Sequence, residues 1–126
     1  LSRDYTVIND EICCVEFTER GVLLHSTPYN GLFPDKKEGS APLQSLFILK
    51  QGSEHRIEEI PHAEAIKIIA NEIVPPIGLH EPITGMTYIS MLDLARELYS
   101  RVLVRRLVFK KDSGFWREID KYFPIR

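Results

Sequence analysis

Few side chains in this sequence have the type and setting to do chemistry. The first is Asp4, in the run Leu1-Ser2-Arg3-Asp4 just ahead of a β-branched stretch. A carboxylate at the end of a buried strand can hold a magnesium ion or take a proton from a hydroxyl nucleophile. At a turn the same residue would serve only as a cap. Arg56, Arg105 and Arg106 form a second group. A guanidinium beside a nucleotide could stabilise charge on a transferring phosphoryl group. On an otherwise apolar strand it equally serves as the structural partner of a carboxylate.

The remaining reactive residue types lack a pattern. His25, His55, His62 and His80 have no metal-finger or metalloprotease spacing, and no cysteine joins them. They read as surface or satisfied histidines. Cys13 and Cys14 are adjacent, so in a strand they point to opposite faces, and a disulfide between them would be strained. They read as reduced, one of them buried, in a cytoplasmic protein. No Gly-x-x-x-x-Gly-Lys-Ser/Thr run occurs, so this stretch of chain carries no phosphate cradle of that kind.

Elements must position these groups, and composition bounds what the elements can be. The sequence has 126 residues, 44% hydrophobic and 27% charged, which suits one ordinary globular domain. A net charge of −2 gives no electrostatic reason to expect nucleic acid or an anionic membrane. No apolar run is long enough to cross a bilayer, and no signal peptide is visible. The first residue is Leu1, which reads as the start of a C-terminal fragment of a longer protein.

Residues 5–8, 11–17 and 22–25 predict a three-stranded antiparallel meander, with Asn9-Asp10 as a turn pair and Gly21 supplying a positive φ. Residues 26–41 carry no periodicity, and a connection that long is usually functional or disordered. Residues 43–50 are apolar on both sides at mid-run, which predicts a central strand opened by Pro42. Residues 54–60 predict another strand. A helix then starts at Pro61, with Ile60 as a poor N-cap, and stops at Pro75-Pro76. A second helix over 84–101 carries the clearest stripe: Tyr88, Met91, Leu92, Ala95, Leu98, Tyr99 and, just past its end, Val102. Residues 102–109 predict a further strand, and Asp112-Ser113 cap a last short helix. The fold class is mixed α/β, a central mixed sheet with an antiparallel N-terminal meander and helices packed on it.

Several short motifs occur in order. They are Leu1-Ser2-Arg3-Asp4, His25-Ser26-Thr27-Pro28-Tyr29, the run from Ser40-Ala41-Pro42 to Leu49, Arg56-Ile57-Glu58, Pro61-His62-Ala63-Glu64-Ala65 and Ser113-Gly114-Phe115-Trp116. Their order resembles the C-terminal half of the HPr-kinase-like proteins, a P-loop group related in fold to phosphoenolpyruvate carboxykinase. The resemblance implies the C-terminal portion of an ATP-dependent protein or peptide serine kinase, its phosphate loop lying upstream. It implies ATP and magnesium for the full-length protein and neither for this stretch alone. Asp4 would be the catalytic and magnesium-binding acid. Thr27, Tyr29, Gly39, Ser40 and Arg56 would border the nucleotide or acceptor. The partner would be a protein or peptide carrying an acceptor serine, with no nucleic acid or membrane involved and room for a homo-oligomer. The family pattern has two acids after Leu-Ser, and Arg3 stands at the first of those positions. That departure keeps a second reading in view: a non-catalytic binding or assembly domain with the same fold.

Overall fold

The computed structural model describes residues 5–29, 31–34, 36–74 and 85–122. The chain is mixed α/β, with two three-stranded sheets and three helices among the described residues. It divides into two compact units, Leu1–Gln44 and Ser45–Arg126.

The first unit is an antiparallel sheet of β1 (Cys14–Thr18), β2 (Gly21–His25) and β3 (Ser40–Pro42), in that order. The β1–β2 hairpin has a two-residue loop, Glu19-Arg20, with Thr18 opposite Gly21. The favoured type I′ loop needs positive φ at both loop residues. Among the described residues no non-glycine has one, so the positive φ falls on Gly21, at 145°. The Thr18 hydroxyl secures the turn: it accepts the Arg20 amide at 3.2 Å and donates to the Gly21 carbonyl at 2.8 Å.

The expected meander is thereby corrected. Residues 5–8 form no strand, β1 starts at Cys14 rather than Glu11, and the third strand is β3. Pro42 belongs to this sheet, not to the following strand. It pairs with Leu23 on an edge strand, where its missing N–H costs nothing.

The second unit is a mixed sheet with strand order β4–β6–β5: β4 (Ser45–Gln51), β5 (Arg56–Glu58) and β6 (Leu103–Phe109). β6 runs parallel to β4 and antiparallel to β5. The central strand is therefore β6, and β4 lies at an edge, where Leu49 is 65% exposed. Both strands show apolar residues on two faces, but only β6 gains a partner on each side. Val104, Leu107 and Val108 of β6 are all buried. Strand alternation puts Val104 and Val108 on one face and Leu107 on the other.

Between β5 and β6 lie α1 (His62–Glu72) and α2 (Gly85–Arg101), which pack against each other. Helix α1 buries Ala65, Ile66, Ile69 and Ala70. Helix α2 buries Met91, Ala95 and Leu98, within its expected stripe. The His62 ring meets the Tyr99 ring edge-on at 4.6 Å. The N-cap of α1 is Pro61, not Ile60; it makes no side-chain cap bond, but its carbonyl accepts the Ala65 amide at 2.9 Å. The predicted stop at Pro75-Pro76 lies outside the described residues. Helix α3 (Phe115–Tyr122) packs against β5. No helix among the described residues is long and apolar enough to cross a membrane.

Gly52 closes β4 onto the central strand. Its amide donates to the Phe109 carbonyl at 2.8 Å, and a Cβ there would lie 2.6 Å from Val108 Cγ1. Gly52→Ala should overpack this contact and destabilise the protein by about 1–3 kcal/mol. Gly85→Ala, with nothing within 4 Å of the added carbon, should be neutral or stabilising by up to about 1 kcal/mol. Ile69→Ala should cost about 2–4 kcal/mol through the cavity it leaves. Urea denaturation of the three variants checks the ranking.

Candidate functional site

The first unit has little apolar interior. Val22 is its one buried apolar residue among those described. Side chains bonded to backbone supply the order instead, and two adjacent residues lead. Asn9 donates from Nδ2 to the His25 carbonyl at 2.9 Å and accepts the Thr27 amide at Oδ1, at 3.1 Å. Asp10 accepts the Gly31 amide at Oδ1 (2.9 Å) and the Phe33 amide at Oδ2 (2.7 Å). Asn and Asp side chains bond readily to backbone near turns, in competition with strand pairing. Here they reach across to residues 25–33, so a pair expected to make a hairpin turn organises a distant loop.

Further bonds close that loop. Thr27 Oγ1 donates to the Ile12 carbonyl at 2.6 Å. The Lys36 ammonium donates to the carbonyls of Thr27 and Tyr29 at 2.5 and 2.7 Å. The Lys37 amide donates to the Val7 carbonyl at 2.7 Å. At the base of the loop the Ser26 amide donates to the Gly39 carbonyl at 2.9 Å, and the Gly39 amide donates to Ser26 Oγ at 3.0 Å. An open cleft of about 810 Å³ lies beside the clamp, lined by Asp10, Glu11 and residues 31–34. Leu32 is fully exposed there.

The sheet face carries the most reactive arrangement. His25 sits directly opposite Cys14 on β1 and Ser40 on β3. Its Nδ1 is 2.6 Å from Ser40 Oγ, and its Nε2 is 2.9 Å from Glu16 Oε1. An ionised carboxylate only accepts, so Nε2 carries the proton and donates to Glu16. In the neutral ring Nδ1 is then bare and accepts the Ser40 hydroxyl. Sequence spacing gave no hint of this grouping, because the three residues come together through cross-strand pairing. The signal that could have found it is strand alternation, had the register been known.

Of the residues expected at the site, Thr27, Tyr29, Gly39 and Ser40 all fall in the first unit, on the clamped loop or at its base. Tyr29 is 58% exposed, its ring open to solvent. Arg56 belongs to the second unit. It is ion-paired with Glu54 and, at 3.0 Å, with Glu58. Arg106 pairs with Glu58 at 3.5 Å and Glu64 at 2.5 Å. A phosphate approaching either arginine would have to compete with two carboxylates. Arg105 donates to the Val104 carbonyl at 2.8 Å. Asp4 and His80 lie outside the described residues. Comparison with protein-family models, curated proteins and solved structures finds no match for this chain.

The other described histidines and the cysteines play smaller parts. His55 accepts the Lys110 amide at Nδ1 (3.3 Å), so its Nε2–H donates to Asp112 Oδ1 at 2.5 Å. The Gly114 amide donates to the same oxygen at 2.8 Å. These bonds, Gly114 first and His55 second, hold the Asp112 carboxyl below the usual carboxylate range. A Cβ at Gly114 would lie 2.8 Å from the His55 ring, so glycine there permits the contact. Cys13 and Cys14 are free thiols and both are exposed, which corrects the expectation that one is buried. Protein packed near the Cys13 sulfur still pushes its pKa up, which makes it a poor nucleophile. Among the described residues no group of His, Cys, Asp or Glu is placed to hold a metal ion.

The Asp10 clamp sets a pH dependence. The Gly31 and Phe33 amides, in that order, hold its carboxyl below the ordinary range, with Lys36 adding a smaller pull. A depressed folded pKa means the contribution is full above the unfolded value, about pH 4, and is lost as pH falls through the folded value. The Gly31 and Phe33 amide resonances should therefore shift together below about pH 4. Asp10→Asn should abolish that titration and leave the loop cut faster by protease at neutral pH, since an amide nitrogen replaces one acceptor.

Proposed function

We propose that this chain is the C-terminal portion of an ATP-dependent HPr-kinase-like enzyme that phosphorylates a serine of a protein or peptide. In this reading the fold belongs with the phosphoenolpyruvate carboxykinase-like P-loop group. The phosphate cradle and the bulk of the nucleotide site are supplied from upstream. The observation that carries the reading is the joining of two motif segments. The resemblance sets Thr27, Tyr29, Gly39 and Ser40 beside the nucleotide or acceptor, and the neighbouring His25 and Ser26 bond the first of these segments to the second through Ser26–Gly39 and His25–Ser40. A loop held at its base in this way keeps the segment of Thr27 and Tyr29 tied to the turn of Gly39 and Ser40. Asp4, a few residues before Asn9 and Asp10, would hold magnesium and take the acceptor's proton. Arg56 would reach a phosphate only by giving up Glu54 or Glu58. The protein would work in the cytoplasm, where ATP and magnesium are supplied.

A second reading, a binding or assembly domain that keeps the fold without the chemistry, is favoured by Arg3 at an acid position and by the paired state of Arg56 and Arg106. Full-length protein separates the two. Magnesium-dependent ATP binding and phosphate transfer to a serine peptide are expected, with Asp4→Asn lowering transfer by about 10²-fold or more. If Asp4→Asn leaves binding and transfer unchanged, the site assignment is wrong. If the full-length protein binds no ATP, the kinase reading gives way to the second.

A further inference from the structure

We propose that Ser40 is a nucleophilic hydroxyl, activated by His25 and able to take an acyl group from a carboxylic ester. The grouping has the three parts such a serine needs: a hydroxyl, a base within hydrogen-bond reach, and an acid that orients the base. Ser40 Oγ lies 2.6 Å from His25 Nδ1, and Glu16 Oε1 lies 2.9 Å from the far ring nitrogen. Glu16 keeps the proton on Nε2 and leaves Nδ1 free to receive the one from Ser40. The two ring nitrogens exchange the roles they have in the serine proteases, but roles and distances define the device. Sequence alternation adds a setting. Leu23 and Pro42 pair two residues further along the same strands, so they share the face with His25 and Ser40. They offer a small apolar floor for an acyl chain. The Ser40–His25 contact is exposed, so a substrate can reach it.

The step balances without a cofactor. Ser40 Oγ bonds to the ester carbonyl carbon as its proton passes to His25 Nδ1. The carbon–oxygen bond to the alcohol breaks, and the leaving alkoxide takes that proton. Water, deprotonated by the same nitrogen, then bonds to the acyl carbon. The bond from that carbon to Ser40 Oγ breaks and Oγ takes the proton back from Nδ1, for a net change of ester and water to acid and alcohol. His25 and Ser40 are the catalytic residues, and Glu16 is a positioning residue.

The test uses the full-length chain, a fluorophosphonate probe and p-nitrophenyl acetate, with labelled peptides mapped by mass spectrometry. Neither reagent involves nucleotide, so this proposal and the kinase reading fail independently. Labelling at Ser40 is expected, faster than in the same chain unfolded in urea and absent in Ser40→Ala. His25→Ala should slow it by about 10²-fold, with added imidazole restoring part of the rate. Glu16→Ala should lower the limiting labelling rate without changing the probe concentration at half-saturation. Cys14→Ser should label normally, which excludes the thiol opposite His25. Circular dichroism follows folding, and the Glu16 variant carries the test if His25→Ala unfolds. Labelling of Ser40 no faster than in urea, or unaffected by both the His25 and Glu16 changes, would overturn the proposal and leave the contact as a cross-strand hydrogen bond.

Discussion

In the first unit the carboxylate of Asp10 and the carboxamide of its neighbour Asn9 do what an apolar interior does elsewhere. Between them they satisfy three backbone amides and one carbonyl, all at least sixteen residues away in sequence. Bonds to a charged acceptor are stronger than neutral ones, and those to Gly31 and Phe33 also meet the hydrogen-bonding demand of backbone outside the strands. The clamp adds to the bonds of Thr27, Lys36, Lys37 and Ser26, which hold residues 26–39 alongside a three-residue edge strand. With it, Ser26 meets Gly39, and β3 is delivered to the edge of β2.

That delivery places Ser40 beside His25. The strand that brings it is three residues long, and its last residue is a proline with no amide to donate. Pairing of β3 with β2 therefore draws on the loop behind it as much as on its own ladder. The chemistry on the sheet face and the ordering of the loop are two consequences of one set of polar contacts.

The second unit follows a more familiar logic. Its core is apolar and its polar groups are paired around it. Arg56 and Arg106 join Glu54, Glu58 and Glu64 in a continuous chain of alternating charge across β5, β6 and α1. Exposed pairs of this kind add little stability singly. Their clearer effect is on register, since Glu58 lies directly opposite Arg106. The His55–Asp112 contact, buttressed by Gly114, joins the segment before β5 to the turn before α3.

Residue order alone determined the helices, because an apolar stripe at helical spacing depends on neighbours three and four positions away. The stripe of α2 and the start of α1 within a residue of Pro61 were legible for that reason. The run at 102–109 was legible as a strand, and Gly21 as the site of a positive φ. Which strand is central was not legible, because β4 and β6 share the same two-faced apolar pattern and only pairing tells them apart. Nor could spacing tell that Pro42 ends one sheet rather than opening another. The loop clamp and the Glu16–His25–Ser40 grouping were likewise decided by tertiary structure. Each is built from polar side chains far apart along the chain, and such contacts follow from register and closure, which leave no periodic trace in sequence.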